Sequence, residues 1–414
     1  MEPERVLLVC YYFPPLGGAG VSRPLALYKH LPKHGIECDV LTVKPVAYRQ
    51  YEPELLDGLD TARIYRAGSH DPQRLMYLLG IRQVREAAIS RGRKLSGRFF
   101  PDPKAGWVRP AVRLGRVLAT NRHYGCVIST SPPVSSHLVA RKLAAEFKLP
   151  WIADFRDFWT GYKAEDWFDK PRLIRRAKSL LNEITSEAAK VTVVSPAIGD
   201  YLRAGDVIFN SFDEERARRW RLPANNDYFS IGVLGTLDHL RPIEPLLKLL
   251  AHLRAERPQC YDRLRVIQVG RIDLPGFESQ LAKYDLRDKV FSHGFQKRNT
   301  TIELLSESSI LYLGFSAPYD RWLVTGRLFD MLASGRPILA AAGRDSLVAG
   351  LIGDTPHGCC YDAGNLSQAV QFVEQKVESF LSGEKVCQLN PDYAARFSSQ
   401  NMAAKFAKII RELA

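Results

Sequence analysis

Short apolar runs recur along this chain. Each is followed by a Gly- or Pro-bearing loop and then a helical pattern, and that alternation admits few folds. Arg5–Cys10 (RVLLVC) is almost continuously apolar, as in a parallel strand buried on both faces. Tyr11–Gly20 (YYFPPLGGAG) is a Pro/Gly loop. Ser22–His34 is predicted helical, with Pro24 in its first turn and Gly35 just past its end, and Cys38–Val43 is the next strand. This β–loop–α–β unit builds doubly wound sheets. The pattern resumes with strand Cys126–Ser129, helix Val134–Phe147, strand Trp151–Ala153, a helix over Arg172–Ala189 and strand Val191–Val194.

A polar Pro/Asn stretch near 205–225 interrupts the alternation, which restarts at Phe229–Leu234. Helix Ile243–Ala255 follows, then strands at Leu264–Val269, Val290–Ser292, Ile310–Leu313 and Pro337–Ala340. Helices are expected at Thr300–Ser306 and Arg327–Ala333, and a last amphipathic helix at Ser398–Leu413. Two α/β domains of Rossmann type follow, residues 1–208 and 209–392, with 393–414 as a terminal helix.

Charge is segregated. The formal net charge is +13. Between Pro72 and Gly125 stand twelve Lys/Arg against only Glu86 and Asp102, so this stretch carries +10 of it. Leu75, Tyr77, Leu78, Phe99, Phe100 and Trp107 are interleaved. Basic residues with apolar anchors suit an anionic membrane surface better than nucleic acid. No run of about 18 apolar residues predicts a membrane-spanning helix. The start, Met1-Glu2-Pro3-Glu4-Arg5, lacks the order of a secretory signal. The seven cysteines show no Cys-x-x-Cys pair, and no His cluster lies near one. The expectation is a cytoplasmic protein, peripheral at the inner membrane face, with no metal and no cofactor.

Candidate binding residues lie where predicted strands end. In the first loop, Gly17, Gly18 and Gly20 let backbone N–H groups approach a diphosphate at a helix N-terminus, with Arg23 close behind. The loop is not the spaced G-x-G-x-x-G of simple dinucleotide binding. Ser131-Pro132-Pro133 ends another strand, and His137 and Arg141 share a face of the next helix. Asp154-Phe155-Arg156-Asp157 puts two carboxylates and a guanidinium at a strand's C-terminal end, where open α/β sheets bind ligands. Arg156 is expected to pair with one of the acids, and the cluster to orient an acceptor hydroxyl or contact the transferred group. In the second half, Gly235-Thr236-Leu237-Asp238-His239-Leu240-Arg241 offers Arg241 as a phosphate clamp. Arg271 and Phe295 follow the next two strands and are candidates for holding a base. Gly326-Arg327-Leu328-Phe329-Asp330 opens a helix with a cation and an acid. That combination suits a nucleotide's phosphates and ribose.

Taken in order, these segments resemble the GT-B glycosyltransferases of the large retaining family often called GT4. The likeness runs through Phe13–Gly20 with Arg23, Ser131-Pro132-Pro133, Pro150–Asp157, Val207–Asp213, Gly235–Arg241, Phe291–Phe295 and Gly326–Pro337. It implies two Rossmann-like domains facing a cleft, the donor mainly on the C-terminal domain, the acceptor on the N-terminal one, and a last helix crossing back. It also implies metal-independent transfer of a hexose-type sugar from a UDP- or GDP-sugar to a lipid-linked or polysaccharide acceptor, with retention. By the same likeness Asp330 contacts the ribose and Arg241 the diphosphate. The sequence departs from the family where Trp322 replaces a usual glutamate and Thr236 a usual arginine. Those departures carry the alternative reading, a catalytically silent GT-B subunit that binds nucleotide-sugar or supports a partner transferase.

Overall fold

The computed structural model describes residues 4–46, 50–79, 100–160, 170–223, 227–316, 319–321, 325–353, 358–384 and 391–413. Trp322 and the basic residues Arg82 to Arg98 lie outside them. The chain divides into two compact units. Unit 1 comprises Met1–Phe209 and Ser399–Ala414, and unit 2 comprises Asn210–Ser398.

Unit 1 is built on strands β1 (Glu4–Val9), β2 (Ile36–Val43), β3 (Ile64–Ala67), β4 (Cys126–Ser131), β5 (Trp151–Phe155), β6 (Lys190–Val193) and β7 (Asp206–Val207). All pair in parallel, in the order β3-β2-β1-β4-β5-β6-β7. Its helices are α1 (Ala19–His30), α2 (Pro72–Leu78), α3 (Val108–Asn121), α4 (Ser135–Phe147), α5 (Pro171–Glu187) and α6 (Pro196–Leu202). Right-handed crossovers put α3, α4 and α5 on one face of the sheet and α1 on the other. The strands' apolar runs account for the parallel sheet: Val6–Val9 and Val127–Ile128 are fully buried, as two covered faces require.

Unit 2 repeats the scheme with six strands: β8 (Phe229–Leu234), β9 (Leu264–Val269), β10 (Val290–Ser292), β11 (Ile310–Gly314), β12 (Ile338–Ala341) and β13 (Gly358–Tyr361), in the order β10-β9-β8-β11-β12-β13. Helices α7 (Glu214–Ala217), α8 (Glu244–Glu256), α9 (Pro258–Asp262), α10 (Phe277–Tyr284), α11 (Arg298–Leu305), α12 (Gly326–Ala333), α13 (Leu347–Gly353), α14 (Ser367–Leu381) and α15 (Pro391–Ala395) connect them. The last helix, α16 (Ser399–Leu413), belongs to unit 1 and packs on α1. Among the described residues no helix is long and apolar enough to cross a membrane.

Helix α1 starts earlier than its periodicity suggests, at Ala19, so Pro24 falls in its second turn. Proline has no N–H to give the carbonyl four residues back, here that of Gly20. Arg156 fills the gap: its Nη1 donates to the Gly20 carbonyl at 2.9 Å. Strands β3 and β7 are short, and no apolar run announces them. They are held by pairing with a longer neighbour.

One ion pair pins unit 1. Arg23 of α1 meets Asp154 of β5 through two hydrogen bonds, Nε to Oδ2 at 2.9 Å and Nη2 to Oδ1 at 2.8 Å. Both side chains are buried. Thr130 and Thr192, on the flanking strands, each donate to the same carboxylate at 2.7 Å. Burial alone would raise the Asp154 pKa. The Arg23 charge and these hydrogen bonds outweigh burial and hold it below the usual carboxylate value. Arg23 also donates to the Phe209 carbonyl at 2.8 Å and lies over the Phe406 ring of α16. The expected Arg156–acid pair is therefore corrected. Arg23 takes Asp154, and Arg156 donates to three carbonyls, those of Gly20, Ser131 and Pro132.

His137 is equally enclosed. Trp151 Nε1 donates to Ser129 Oγ at 2.7 Å, which leaves the Ser129 hydroxyl free to donate to His137 Nδ1, also at 2.7 Å. The ring lies against Phe155, and its Nε2 has no partner. Burial pushes its pKa down to about 3, so it is neutral.

Two outcomes follow. Removing one partner of a buried pair strands the other charge, so Asp154→Ala is expected to lower unfolding stability by about 3–5 kcal/mol. Urea denaturation measures it, and a loss below about 1 kcal/mol contradicts the pinning role. For His137, the unfolded imidazole takes a proton below its ordinary pKa of about 6.5, while the folded one resists until about 3. Its contribution is therefore full above about pH 6.5 and shrinks as pH falls toward 3. His137→Gln is expected to flatten the stability–pH curve between about pH 6.5 and 4. An unchanged slope counts against a buried neutral ring.

Candidate functional site

Each sheet has one place where successive connections leave to opposite faces. In unit 1 it lies between β1 and β4, and in unit 2 between β8 and β11. Crevices at such points, beyond the carboxyl ends of the strands, are where open α/β sheets take ligands. Gly17, Gly18, Gly20 and Arg23 lie at the first, and Thr236, Arg241, Gly326 and Arg327 at the second, while His137, Arg271 and Phe295 lie elsewhere.

In unit 1 the Gly-rich loop leaves β1 and opens α1. Gly18 has φ +89°, a conformation that favours glycine. A Cβ on Gly17 or Gly20 would crowd Glu52 or Tyr12. Gln50 to Glu52 lies across this loop. Gly17 N donates to the Gln50 carbonyl at 2.7 Å, Leu16 bridges Tyr51, and Gly18 N donates to Glu52 Oε1 at 3.2 Å. A carboxylate of the chain itself thus occupies the amide expected to meet a phosphate. Opposite, Asp102 accepts from both the backbone N and the hydroxyl of Ser135, at 2.7 and 2.8 Å, capping α4.

The three members of the predicted acid–arginine cluster, expected with Arg241 to carry the chemistry, part ways. Asp154 is fully buried and spent on Arg23, Thr130 and Thr192, a strut with no atom open to a substrate. Arg156 is half-buried, with carbonyls rather than carboxylates as its hydrogen-bond partners. Asp157 is half-buried beside it, Oδ1 accepting from Phe158 N at 2.9 Å. His137 lies too deep to reach any ligand.

In unit 2 the exits of β8 and β9 touch. Gly270 has φ +148°, and a Cβ there would fall 2.2 Å from the carbonyl carbon of Gly235. Buried Gln268 laces the strand ends: its Nε2 donates to the carbonyls of Gly270 at 3.1 Å and Gly235 at 3.4 Å, while its Oε1 accepts from Ser292 at 2.6 Å. Arg327, in the first turn of α12, lays its guanidinium where a Gly235 side chain would stand. Its Nη1 donates to the carbonyls of Leu234 at 2.9 Å and Thr236 at 3.2 Å. Burial first, and then the nearby Arg241 charge, push its pKa down to about 9. A guanidinium so desolvated gains most from an anion. Thr325, the residue before α12, has its Oγ1 buried without a partner among the described residues, none of which a Cβ on the exposed Gly326 would meet.

Arg241, read as the clamp, is already neutralised. Asp238 pairs with its guanidinium and also accepts from Leu240 N and Arg241 N, each at 3.0 Å. Asp330 is likewise paired, with Arg216 of α7. Arg271 meets Asp273 at 3.2 Å, and its Nε is buried without a partner. Phe295, past the edge strand β10, is 56% exposed. The structure therefore brings Thr236, Arg241, Gly326 and Arg327 to one switch point, with Asp330 one turn further along α12 and Arg271 at the adjacent strand end. Glu52, Arg216 and Asp238 went unrecognised as partners. Only Asp238, three residues before Arg241, had a local signal in its spacing.

No family model matches the chain, and no curated protein matches it. Among solved structures, sucrose-phosphate synthase from Thermosynechococcus elongatus aligns over 99% of both chains, with a TM-score of 0.66 at 14% identity. Anabaena HepE in complex with UDP and glucose aligns over 99% of this chain and 100% of its own, at 0.60 and 15%. WaaG, a glycosyltransferase involved in lipopolysaccharide biosynthesis, aligns over 98% of this chain and 99% of its own, at 0.56 and 12%. The chain has the GT-B fold of these proteins: two Rossmann-like parallel sheets, of seven and six strands, with the last helix in unit 1.

Proposed function

We propose that this protein is a retaining, metal-independent glycosyltransferase of GT4 type, using a UDP- or GDP-sugar. The observation that carries the reading is Arg327. It is a partly buried guanidinium that, among the described residues, bonds carbonyls and no carboxylate, in the first turn of a helix at the unit 2 switch point, beside a Thr325 hydroxyl that has no partner among them. A helix N-terminus and a guanidinium together favour a diphosphate. The GT-B fold shared with HepE, whose structure holds UDP and glucose, supports a nucleotide-sugar over other diphosphates.

In this reading unit 2 holds the donor. Arg327, the Gly326 amide and Arg241 take the diphosphate, Asp330 exchanges Arg216 for the ribose hydroxyls, and exposed Phe295 stacks on the base. Unit 1 takes a lipid-linked or glycan acceptor, with Asp157 and Arg156 the groups nearest to orienting its hydroxyl. The acceptor oxygen bonds to the anomeric carbon as the carbon–phosphate oxygen bond breaks, on the same face, and the hydroxyl proton passes to a departing phosphate oxygen. No side chain need act as base. The guanidiniums stabilise the negative charge that develops on the leaving diphosphate.

Titration calorimetry with UDP and GDP tests the site. Arg327→Ala is expected to weaken binding of the preferred nucleotide about 10- to 100-fold, the value of a charge-assisted hydrogen bond of about 1.5–3 kcal/mol. Asp330→Asn is expected to cost a similar factor, and the free nucleoside should be insensitive to Arg327. Unchanged affinity in Arg327→Ala would remove the basis of the reading.

A further inference from the structure

The helical layer of unit 1 carries its charges the wrong way round. A helix N-terminus has positive character and favours acids, and a C-terminus favours cations. Helix α5 is preceded by Lys170 and opens with Arg172, Arg175 and Arg176. Within α5 no acid precedes Glu183, and its acids, Glu183 and Glu187, stand in the last turns. Helix α3 opens with Arg109 and Arg113, again with no acid in its first turn. Among the described residues none of these five arginines has a carboxylate at ion-pair distance. Arg116 and Arg141, further along the layer, do pair, with Glu146 and with Glu183 and Glu187. Their placement against the helix dipole, with no carboxylate among the described residues to offset it, leaves a set of exposed cations open to an anionic partner.

They share one rim. Helices α3, α4 and α5 all begin at the carboxyl end of the sheet, and residues 100–107 run along it. Phe100 lies 4.3 Å beneath Arg176 and 6.3 Å from Trp159. Asp102 caps α4, and Trp107 leads straight into α3. Helix α2 is rooted on the same segment, since its capping residue Asp71 meets Lys104 at 3.5 Å and His70 N donates to the Gly106 carbonyl at 3.2 Å. From that root α2 presents Leu75 and Leu78, with Leu79 just past its end, at three- and four-residue spacing and with 45%, 64% and 79% of their surface exposed.

We infer that this rim docks on the surface of a bilayer rich in anionic phospholipid. The arginines of α3 and α5 meet the headgroups, and the leucines of α2 enter the acyl boundary. Charge complementarity explains the arginines, and a lipid surface also uses the leucines, to which a nucleic acid backbone offers nothing to bury against. The inference does not rest on the glycosyltransferase reading, because docking needs no donor and no reaction.

Flotation of the full chain with phosphatidylcholine vesicles, with and without phosphatidylglycerol, is the test. Binding is expected only with phosphatidylglycerol and should weaken as salt rises. The triple variant Arg172→Glu/Arg175→Glu/Arg176→Glu should lose at least about 100-fold in partition, at roughly one order of magnitude or less per charge. Leu78→Ser/Leu79→Ser should weaken binding with its charge unchanged, and circular dichroism melting verifies that each variant is folded. Equal flotation of the folded triple variant overturns the proposal, as does absence of binding. Tighter retention of a duplex oligonucleotide, indifferent to the leucine changes, would assign the rim to nucleic acid instead.

Discussion

The Arg23–Asp154 pair is the constraint on which unit 1 depends. A buried carboxylate is tolerable only when its lone pairs are taken, and Asp154 has Arg23 twice and a threonine from each neighbouring strand. The same guanidinium reaches the Phe209 carbonyl, where the chain leaves the unit, and the Phe406 ring, after the chain returns. One side chain thus gathers the central sheet, the first helix and both chain crossings. With Asp154 committed inward, the next cation along, Arg156, repairs the carbonyl that Pro24 leaves open and braces the Ser131–Pro132 turn.

Unit 2 obeys a different constraint, close backbone approach. Gly235 and Gly270 touch because neither has a side chain, and Gln268 ties their carbonyls. The space a Gly235 side chain would fill is taken by Arg327. That packing desolvates a guanidinium and gives it carbonyls in place of an acid, so its charge stays available to a ligand. Arg241, in the turn that follows β8, finds Asp238 three residues back and is neutralised. Local packing, rather than residue type, thereby ranks the two arginines.

The fold was largely legible in the sequence, because continuous apolar runs such as Arg5–Cys10 and Cys126–Ser129 have few alternatives to buried parallel strands. Short edge strands such as β3 and β13 were not, since pairing with a neighbour holds them and no hydrophobic run marks them. For the candidate site, the sequence marks positions after strand ends, and several of these lie at the two switch points. Pairing could not be read there, because Arg23 and Asp154 are separated by 131 residues and Arg216 and Asp330 by 114. The basic stretch 72–125 was visible as composition. Its continuation into Arg172, Arg175 and Arg176 became visible only once the parallel sheet set the helix N-termini along one rim.

In the proposed function, Arg327 at the unit 2 switch point serves sugar transfer from a nucleotide donor. The most direct measurement is release of nucleoside diphosphate by the purified chain from a panel of UDP-, GDP-, ADP- and TDP-sugars, with a membrane extract as acceptor. The account predicts release from one class of donor, dependent on acceptor, with the sugar transferred in its original anomeric configuration and turnover lost in Arg327→Ala. Tight binding of a nucleotide-sugar with no turnover under any of these conditions would contradict it and would make the chain a silent GT-B subunit.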